Sequence, residues 1–170
     1  MKTLETEVLV IGGGATGAGV LRDLSLRGIN SLLIDMKDLC AGASGGNHGL
    51  LHSGGRYVSN DMEAAKECRE ESSILKRLAP HCIETTGSLF VAVPGDDSGF
   101  ISSFPQWCSE AGIGCESVPV REAVQMEPHL AQELKSVFLL PDATVDPFRL
   151  VLDNVAEAIE SKNSTYHPHT

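Results

Sequence analysis

The stretch that decides the fold is VLVIGGGATG, residues 8–17, in which an apolar strand runs directly into the pattern G-x-G-x-x-G. In this pattern Gly12 allows a tight turn, Gly14 lets the backbone approach a pyrophosphate, and Gly17 lets the following helix pack closely on the strand. The N-terminus of that helix would offer unpaired N–H groups to phosphate oxygens. The stretch therefore predicts a dinucleotide pocket, with cofactor contacts from Gly12, Gly13, Gly14, Ala15, Thr16 and Gly17.

The acidic residue Asp35 ends the next apolar run and completes the dinucleotide pattern. A carboxylate at this point can accept hydrogen bonds from ribose hydroxyls, and it would repel the additional 2′-phosphate of NADP. The pocket is therefore expected to take NAD or FAD, and the motif alone does not choose between them.

The composition of the 170 residues is that of an ordinary globular protein, with 42% hydrophobic and 21% charged residues. The formal net charge of -10 predicts that nucleic acid is not a partner, because phosphate binding needs a basic face. The acidic start, residues 1–7, lacks the features of a secretory signal, and no apolar run approaches the roughly 20 residues of a membrane span. We therefore expect a cytoplasmic protein, with any membrane association peripheral.

The cysteines and histidines do not form a metal-binding or disulfide pattern. The five cysteines are odd in number and include no C-x-x-C pair, so reduced thiols are expected. His48 and His52 are four residues apart, but the glycines around them argue against the helix that would bring both to one metal ion. No metal site is therefore predicted.

Hydrophobic periodicity predicts strands that alternate with helices, beginning with a right-handed parallel βαβ unit. The predicted strands cover residues 7–11, 31–35, 88–93 and 137–140. The predicted helices cover residues 15–27, 61–78, 98–111, 121–126 and 147–160. Pro105 lies inside the third helix and predicts a kink or a break there. Residues 165–170 fit either the start of another strand or a short tail.

Several helix ends carry local signals. Asn60 with Glu63 is predicted to form a capping pair, and Asp146 followed by Pro147 is typical of an N-cap and a first helical residue. Gly28 is expected to end the first helix. The apolar side of the last helix is expected to comprise Phe148, Val151, Leu152, Val155 and Ile159.

A second glycine-rich stretch, residues 40–57, is CAGASGGNHGLLHSGGRY. Together with residues 8–17 it resembles the FAD-dependent glycerol-3-phosphate dehydrogenases, and most of all the large subunits of the anaerobic enzymes. Further similarity lies in TVDPFRL, residues 144–150, in ILKR, residues 74–77, preceded by Glu70, and in AGI, residues 111–113. The resemblance covers nearly the whole chain.

The resemblance implies an α/β fold: a Rossmann-like FAD-binding domain of the glutathione-reductase/D-amino acid oxidase type, with part of a substrate or cap domain inserted. Residues 1–79 and 147–170 would form the incomplete FAD-binding domain, and residues 80–146 would belong to the cap domain. Because members of the family are longer, the chain is expected to be an N-terminal fragment, and activity of this piece alone is not expected.

The second glycine-rich stretch suits a flavin better than a nicotinamide, because it can follow the ribityl chain and the ring. The cofactor contacts expected there are Ser44, Asn47, His48, Gly49 and Leu51, with an ordinary surface turn as the alternative.

Three residues near the end of this stretch are the candidates for catalysis. His52 would orient the flavin or the substrate, or share in proton transfer, and a loop histidine bonded to backbone is the alternative. Arg56 would contact the substrate phosphate or the developing flavin charge, or else form a salt bridge. Tyr57 is either a wall residue or a hydrogen-bond donor.

The resemblance implies oxidation of sn-glycerol 3-phosphate to dihydroxyacetone phosphate, with hydride transfer to flavin N5. Electrons would then pass through partner subunits to a quinone at the cytoplasmic face of the inner membrane, as in anaerobic respiration on glycerol, and the principal base would lie beyond residue 170. Two alternatives stay open. One is another FAD-dependent oxidoreductase of the D-amino acid oxidase or 2-hydroxy acid oxidase group, and the other is a non-catalytic FAD-binding or subunit-docking module.

Overall fold

The computed structural model describes residues 3–131 and 133–170. The strands are β1 Val8–Ile11, β2 Ser31–Ile34, β3 Leu50–Leu51, β4 Ile83–Glu84, β5 Ser88–Ala92, β6 Glu116–Ser117, β7 Ser136–Leu140, β8 Ala143–Val145 and β9 Ser164–His167. The helices are α1 Ala15–Leu26, α2 Met62–Leu78, α3 Ser98–Glu110, α4 Val120–Met126 and α5 Pro147–Glu160. No helix among the described residues is both long enough and apolar enough to span a bilayer.

The chain forms two compact units, which we call unit 1 and unit 2. Unit 1 consists of Met1–Gly49 and Val145–Thr170, and unit 2 is the intervening segment Leu50–Thr144. The expected domain boundary after residue 79 differs from this division. Val58 and Ala65 pack in one core cluster with Phe104, so the segment that contains α2 belongs with the residues that follow it.

Unit 1 is built on a parallel three-stranded sheet in the order β1-β2-β9. Helix α1 connects β1 to β2, and α5 leads into β9. The two helices pack on each other, with Leu21 of α1 and Val151 and Val155 of α5 in the core. The predicted βαβ start is confirmed, and β9 resolves the choice left open at the end of the chain in favour of a strand.

The ends of the unit 1 helices follow local chemistry. Gly28 takes a φ of 74° just after α1, as expected for a residue that ends a helix. At the start of α5 the Asp146 side chain accepts a hydrogen bond from the backbone N–H of Arg149 at 3.0 Å, and Pro147 occupies the first turn. Both predictions are confirmed.

The expected apolar side of α5 is partly wrong. Val151, Val155 and Ala158 form its buried stripe, whereas Phe148, Leu152 and Ile159 are exposed. The close approach of α1 to α5 explains this difference, because the Ser25 hydroxyl of α1 donates to the Ala158 carbonyl at 3.0 Å. Only a narrow stripe of small side chains fits between backbones this close.

Unit 2 contains two small sheets, in the orders β5-β7-β6 and β3-β8-β4. Phe104 of α3 is fully buried, and its ring lies 4.3 Å from that of Phe90 on β5. The short strands β3 and β8 fall where sequence patterning predicted no strand, because two or three residues are too few to show a period of two.

Two predictions in unit 2 are corrected. The N-cap of α2 is Asp61, whose carboxylate accepts from the N–H of Ala64 at 3.0 Å, and not Asn60. Helix α3 continues through Pro105 as one helix. Pro105 has no N–H, so the helix lacks one backbone hydrogen bond there. Phe104 is fully buried and Cys108 is buried one turn further on, so the packing of α3 against the core offsets that loss.

Candidate functional site

The glycine turn between β1 and α1 brings backbone N–H groups to one point. Gly12 has a φ of 110°, a left-handed conformation that favours glycine. A Cβ atom on Gly17 would lie 3.1 Å from the Gly12 carbonyl carbon and closer still to its oxygen, so only glycine allows the helix to begin this near the turn. Because the first residues of a helix have no intrahelical acceptor, the N-terminus of α1 can bind an anion such as a pyrophosphate.

Asp35 lies beside this turn, at the end of β2. Its carboxylate accepts the N–H of Gly13 through Oδ2 and the N–H of Lys37 through Oδ1, both at 2.6 Å. The hydrogen bonds from Gly13 and Lys37 hold the pKa of Asp35 below its usual value. Each carboxylate oxygen keeps a second lone pair, so the ionised group can still accept a ribose hydroxyl.

A cavity of about 480 Å³ opens at the same place within unit 1, and its volume falls in the usual range for a small-molecule site. Its lining includes Ile11, Gly12, Asp35, Met36, Ala41 and Gly42. The cavity thus joins the glycine turn, the acidic residue and the start of the second glycine-rich stretch.

The second glycine-rich stretch is tied to the start of α1 by Ser44. The Ser44 Oγ atom accepts the N–H of Ala15 at 2.9 Å, and it would lie 2.7 Å from a Cβ atom on Gly14. Since the hydroxyl accepts from Ala15, its own proton can be donated to a phosphate oxygen. Gly14 therefore leaves room both for Ser44 and for the approach of a ligand.

Asn47 shapes the rest of this stretch. Its amide Nδ2 donates to the Ser44 carbonyl at 2.7 Å, and its Oδ1 accepts the N–H of Gly49 at 2.6 Å. The side chain thus holds the loop in shape, and its predicted contact with the cofactor stays a prediction. His48, between Asn47 and Gly49, is exposed.

The remaining predicted residues, Leu51, His52, Arg56 and Tyr57, belong to unit 2. Leu51 lies on β3 and pairs with Ala143 of β8. His52 follows directly and is partly buried, while Arg56 and Tyr57 are exposed. The cofactor contact of Leu51 and the substrate-binding or catalytic roles of His52, Arg56 and Tyr57 stay predictions.

Sequence reasoning missed Asp142, a carboxylate in unit 2 that is 7% exposed. It accepts the N–H of Ser53 at 2.6 Å and the hydroxyl of Ser88 at 2.7 Å, and its Oδ2 lies 3.8 Å from Nδ1 of His52. In the sequence it is one of two residues, Pro141-Asp142, of the kind that make ordinary turns. The pattern therefore carried no signal for it.

The site has the features of a dinucleotide-binding protein of the Rossmann type: the strand β1, the glycine turn, the N-terminus of α1 and the acidic Asp35 after β2. More specifically, the chain belongs to the family of FAD dependent oxidoreductases (DAO), whose family model matches residues 7–170. The predicted fold class is confirmed, and FAD is confirmed as the cofactor at the level of the family.

Curated relatives support the resemblance seen in the sequence. The chain is 47% identical over 163 residues to a subunit of the anaerobic glycerol-3-phosphate dehydrogenase of Escherichia coli K12, covering 94% of this chain and 30% of that protein. It is 48% identical over 153 residues to the corresponding subunit of the anaerobic enzyme from Haloferax volcanii, covering 90% of this chain and 26% of that protein. The chain thus spans about a third or less of the length of these relatives.

A solved structure agrees on the fold. The dithionite-reduced L-alpha-glycerophosphate oxidase of Mycoplasma pneumoniae, with FAD bound, superposes with a TM-score of 0.83 at 17% identity. The match covers 98% of this chain and 46% of that one.

Proposed function

We propose that this chain is the FAD-binding part of an enzyme that oxidises sn-glycerol 3-phosphate to dihydroxyacetone phosphate. The nucleotide site is supported above all by the hydrogen bond that the Ala15 N–H donates to Ser44 Oγ at 2.9 Å, because it joins the two glycine-rich stretches within unit 1. The choice of substrate is supported by the 47% identity to part of a glycerol-3-phosphate dehydrogenase.

In this proposal unit 1 binds and orients the dinucleotide. The N-terminus of α1 takes the pyrophosphate, and the ionised Asp35 accepts hydrogen bonds from the adenosine ribose. The Ser44 hydroxyl donates to a phosphate or ribityl oxygen. When bound, FAD supplies the acceptor for the hydride that leaves the substrate carbon.

The substrate side of the reaction requires a base and an anion site. Oxidation of the secondary alcohol breaks the C2–H bond and the O–H bond and forms a C=O bond, so the hydroxyl proton must be accepted as the hydride leaves. The resemblance implies a principal base beyond residue 170, but we assign the proton to His52, because its Nδ1 lies 3.8 Å from the buried carboxylate of Asp142. We assign the substrate phosphate to Arg56, whose guanidinium is a fixed cation with forked donors. Tyr57 would form part of the wall of the site.

We further propose that partner subunits carry the electrons onward to a membrane quinone. The two dehydrogenase relatives are each one subunit of an enzyme, which supports an assembly of several chains. In this arrangement the protein would be cytoplasmic and would bind peripherally to the inner face of the membrane.

An absorption spectrum followed by anaerobic reduction tests the proposal. The protein expressed from its complete reading frame should be yellow, and sn-glycerol 3-phosphate should bleach its flavin without oxygen. D-amino acids, glycine and 2-hydroxy acids should not bleach it. Bleaching by one of these instead would reassign the substrate, and retention of flavin without bleaching by any of them would indicate a binding module.

Two variants test the cofactor site itself. Gly14→Val places a larger side chain in the space between the backbone and the phosphates, and it should yield colourless protein. Asp35→Ala should weaken FAD binding, because ribose hydrogen bonds are lost. A fully loaded Gly14→Val variant, or unchanged FAD affinity in Asp35→Ala, would remove the residue concerned from the proposed site.

A further inference from the structure

The pairing of β3 with β8 explains why His52 and Asp142 lie together. Leu50 pairs with Thr144 and Leu51 with Ala143, so the antiparallel register continues to bring residue 52 opposite residue 142. Residues opposite each other in such a pair have side chains on one face of the sheet. The contact between His52 and Asp142 is therefore set by the register of the sheet.

Hydrogen bonds from two parts of unit 2 hold Asp142 in place. The Ser53 N–H and the Ser88 hydroxyl donate to its two carboxylate oxygens, at 2.6 and 2.7 Å. The Gly87 N–H donates to its backbone carbonyl at 3.1 Å. The Ser53 hydroxyl also lies close enough to lower the pKa of Asp142. It is buried, and it makes no hydrogen bond of normal geometry with any residue that the structure describes.

Asp142 is ionised although it is buried. Burial raises the pKa of Asp142, but the hydrogen bonds from Ser53 and Ser88 and the charge of His52 outweigh it and lower the pKa below its ordinary value. Two other groups that can carry charge face this point. One is His52, which follows β3 and is charged only when protonated. The other is Lys76 of α2, whose ammonium donates to the carbonyl of the residue before Asp142 at 2.9 Å. The neighbour from β5, Ser88, is uncharged.

We propose that Asp142 is a positioning residue that keeps a proton on Nδ1 of His52, so that Nε2 accepts the hydroxyl proton of the substrate. A neutral imidazole carries one N–H, and an ionised carboxylate facing Nδ1 favours the tautomer protonated there. The proton moves from the substrate oxygen to Nε2, and the imidazolium that forms is stabilised by the negative charge of Asp142, which stays ionised. This inference rests on the function proposed above.

Asp142→Asn tests the proposal in the flavin-loaded protein expressed from its complete reading frame. The amide oxygen can still accept from the Ser53 N–H, and the amide N–H₂ then takes the place of Oδ2, where it can donate to the Ser88 hydroxyl oxygen and to Nδ1 of His52. The negative charge is lost. Asp97→Asn is the matched control, because it makes the same chemical change at the N-cap of α3, where the side chain accepts from Gly99 N–H at 2.9 Å.

We expect Asp142→Asn to slow anaerobic flavin reduction by sn-glycerol 3-phosphate at least about tenfold, with little change in substrate affinity. The acid limb of the pH–rate profile should move to lower pH, because the imidazolium loses its neighbouring charge. Asp97→Asn should leave both the rate and the profile unchanged. An unaltered rate and profile in Asp142→Asn would overturn the proposal, even if the variant melted at a lower temperature.

A second measurement does not depend on turnover. Proton–nitrogen correlation spectra of the protein labelled with ¹⁵N-histidine report which ring nitrogen of His52 carries the proton, and His52→Gln assigns the signal. We expect Nδ1–H in the wild type and a shift toward Nε2–H in Asp142→Asn. An Nε2–H wild-type ring would refute the role of Asp142, whereas failure of sn-glycerol 3-phosphate to bleach the wild-type flavin would refute only the proposed reaction.

Discussion

Gly17→Ala is the sharpest test of the turn that begins α1. The added methyl carbon would lie 3.1 Å from the Gly12 carbonyl carbon and nearer still to its oxygen. Both atoms belong to backbone, so no side chain can turn aside to make room, and the start of the helix must move away from the turn. Overpacking of this kind costs about 1–3 kcal/mol, which for a chain of this length lowers the melting temperature by about 2–12 °C.

The same displacement should weaken FAD binding. The N–H groups at the start of α1 are aligned by the turn, and loss of one charge-assisted hydrogen bond costs about 1.5–3 kcal/mol, or about 10- to 150-fold in affinity. The dissociation constant can be measured by titrating apoprotein with FAD and following flavin fluorescence, beside a thermal melt of the same sample.

Gly19→Ala is the matched control in the same helix. A Cβ atom there meets nothing within 4 Å, so the substitution should leave FAD affinity unchanged and stabilise the helix by about 0.5–1 kcal/mol. If Gly17→Ala binds FAD and melts like the wild type, or if the two variants behave alike, the close approach of the turn to α1 is not what holds the site together.

Three further outcomes follow from single contacts. Ser44→Ala removes the acceptor of the Ala15 N–H and should cost about 0.5–1.5 kcal/mol in urea unfolding, and an unchanged midpoint would contradict this. Burial, with a smaller contribution from Cys115, raises the pKa of Cys108 to about 12, so iodoacetamide at about pH 8 should leave Cys108 unmodified in the folded protein; mass spectrometry of the digest would detect the opposite. Because folding lowers the pKa of Asp142 from its ordinary value of 3.8, its ionised form stabilises the protein above that value, and this stabilisation is lost as the pH falls below it. The difference in unfolding free energy between wild type and Asp142→Asn should therefore be constant above about pH 5 and should narrow as the pH falls through and below 3.8, and an equal difference at about pH 6 and about pH 3 would show that charge is not involved.

Turns and helix ends that depend on residues close together in the chain could be predicted from the sequence. The turn at Gly12, the end of α1 at Gly28 and the Asp146 cap of α5 each depend on residues a few positions apart, and the structure has all three. The strand β1 and the position of Asp35 directly after β2 could be predicted for the same reason.

Features that depend on distant partners could not be predicted. Phe148 has the same hydrophobic spacing as Val151, but the close contact between α1 and α5 leaves it outside the core. Asp142 gains its partners only through the register of β3 and β8 and the nearby start of β5, which no local pattern reveals. Asn60 and Asp61 are both good caps, and the exact start of α2 decides between them.

Unit 2 is inserted into the chain of unit 1, and this insertion affects how the chain can fold and vary. The Val145 N–H donates to the Gly49 carbonyl at 2.8 Å, so the two points where the chain leaves and re-enters this unit are adjacent. Adjacent exit and return points are the geometry that tolerates exchange of one inserted segment for another, because the sheet around them need not change. The same geometry affects the order of folding. Because β2 and β9 are separated by all of unit 2, pairing them closes a long stretch of chain, which costs conformational entropy. We therefore expect β9 to join the parallel sheet late in folding.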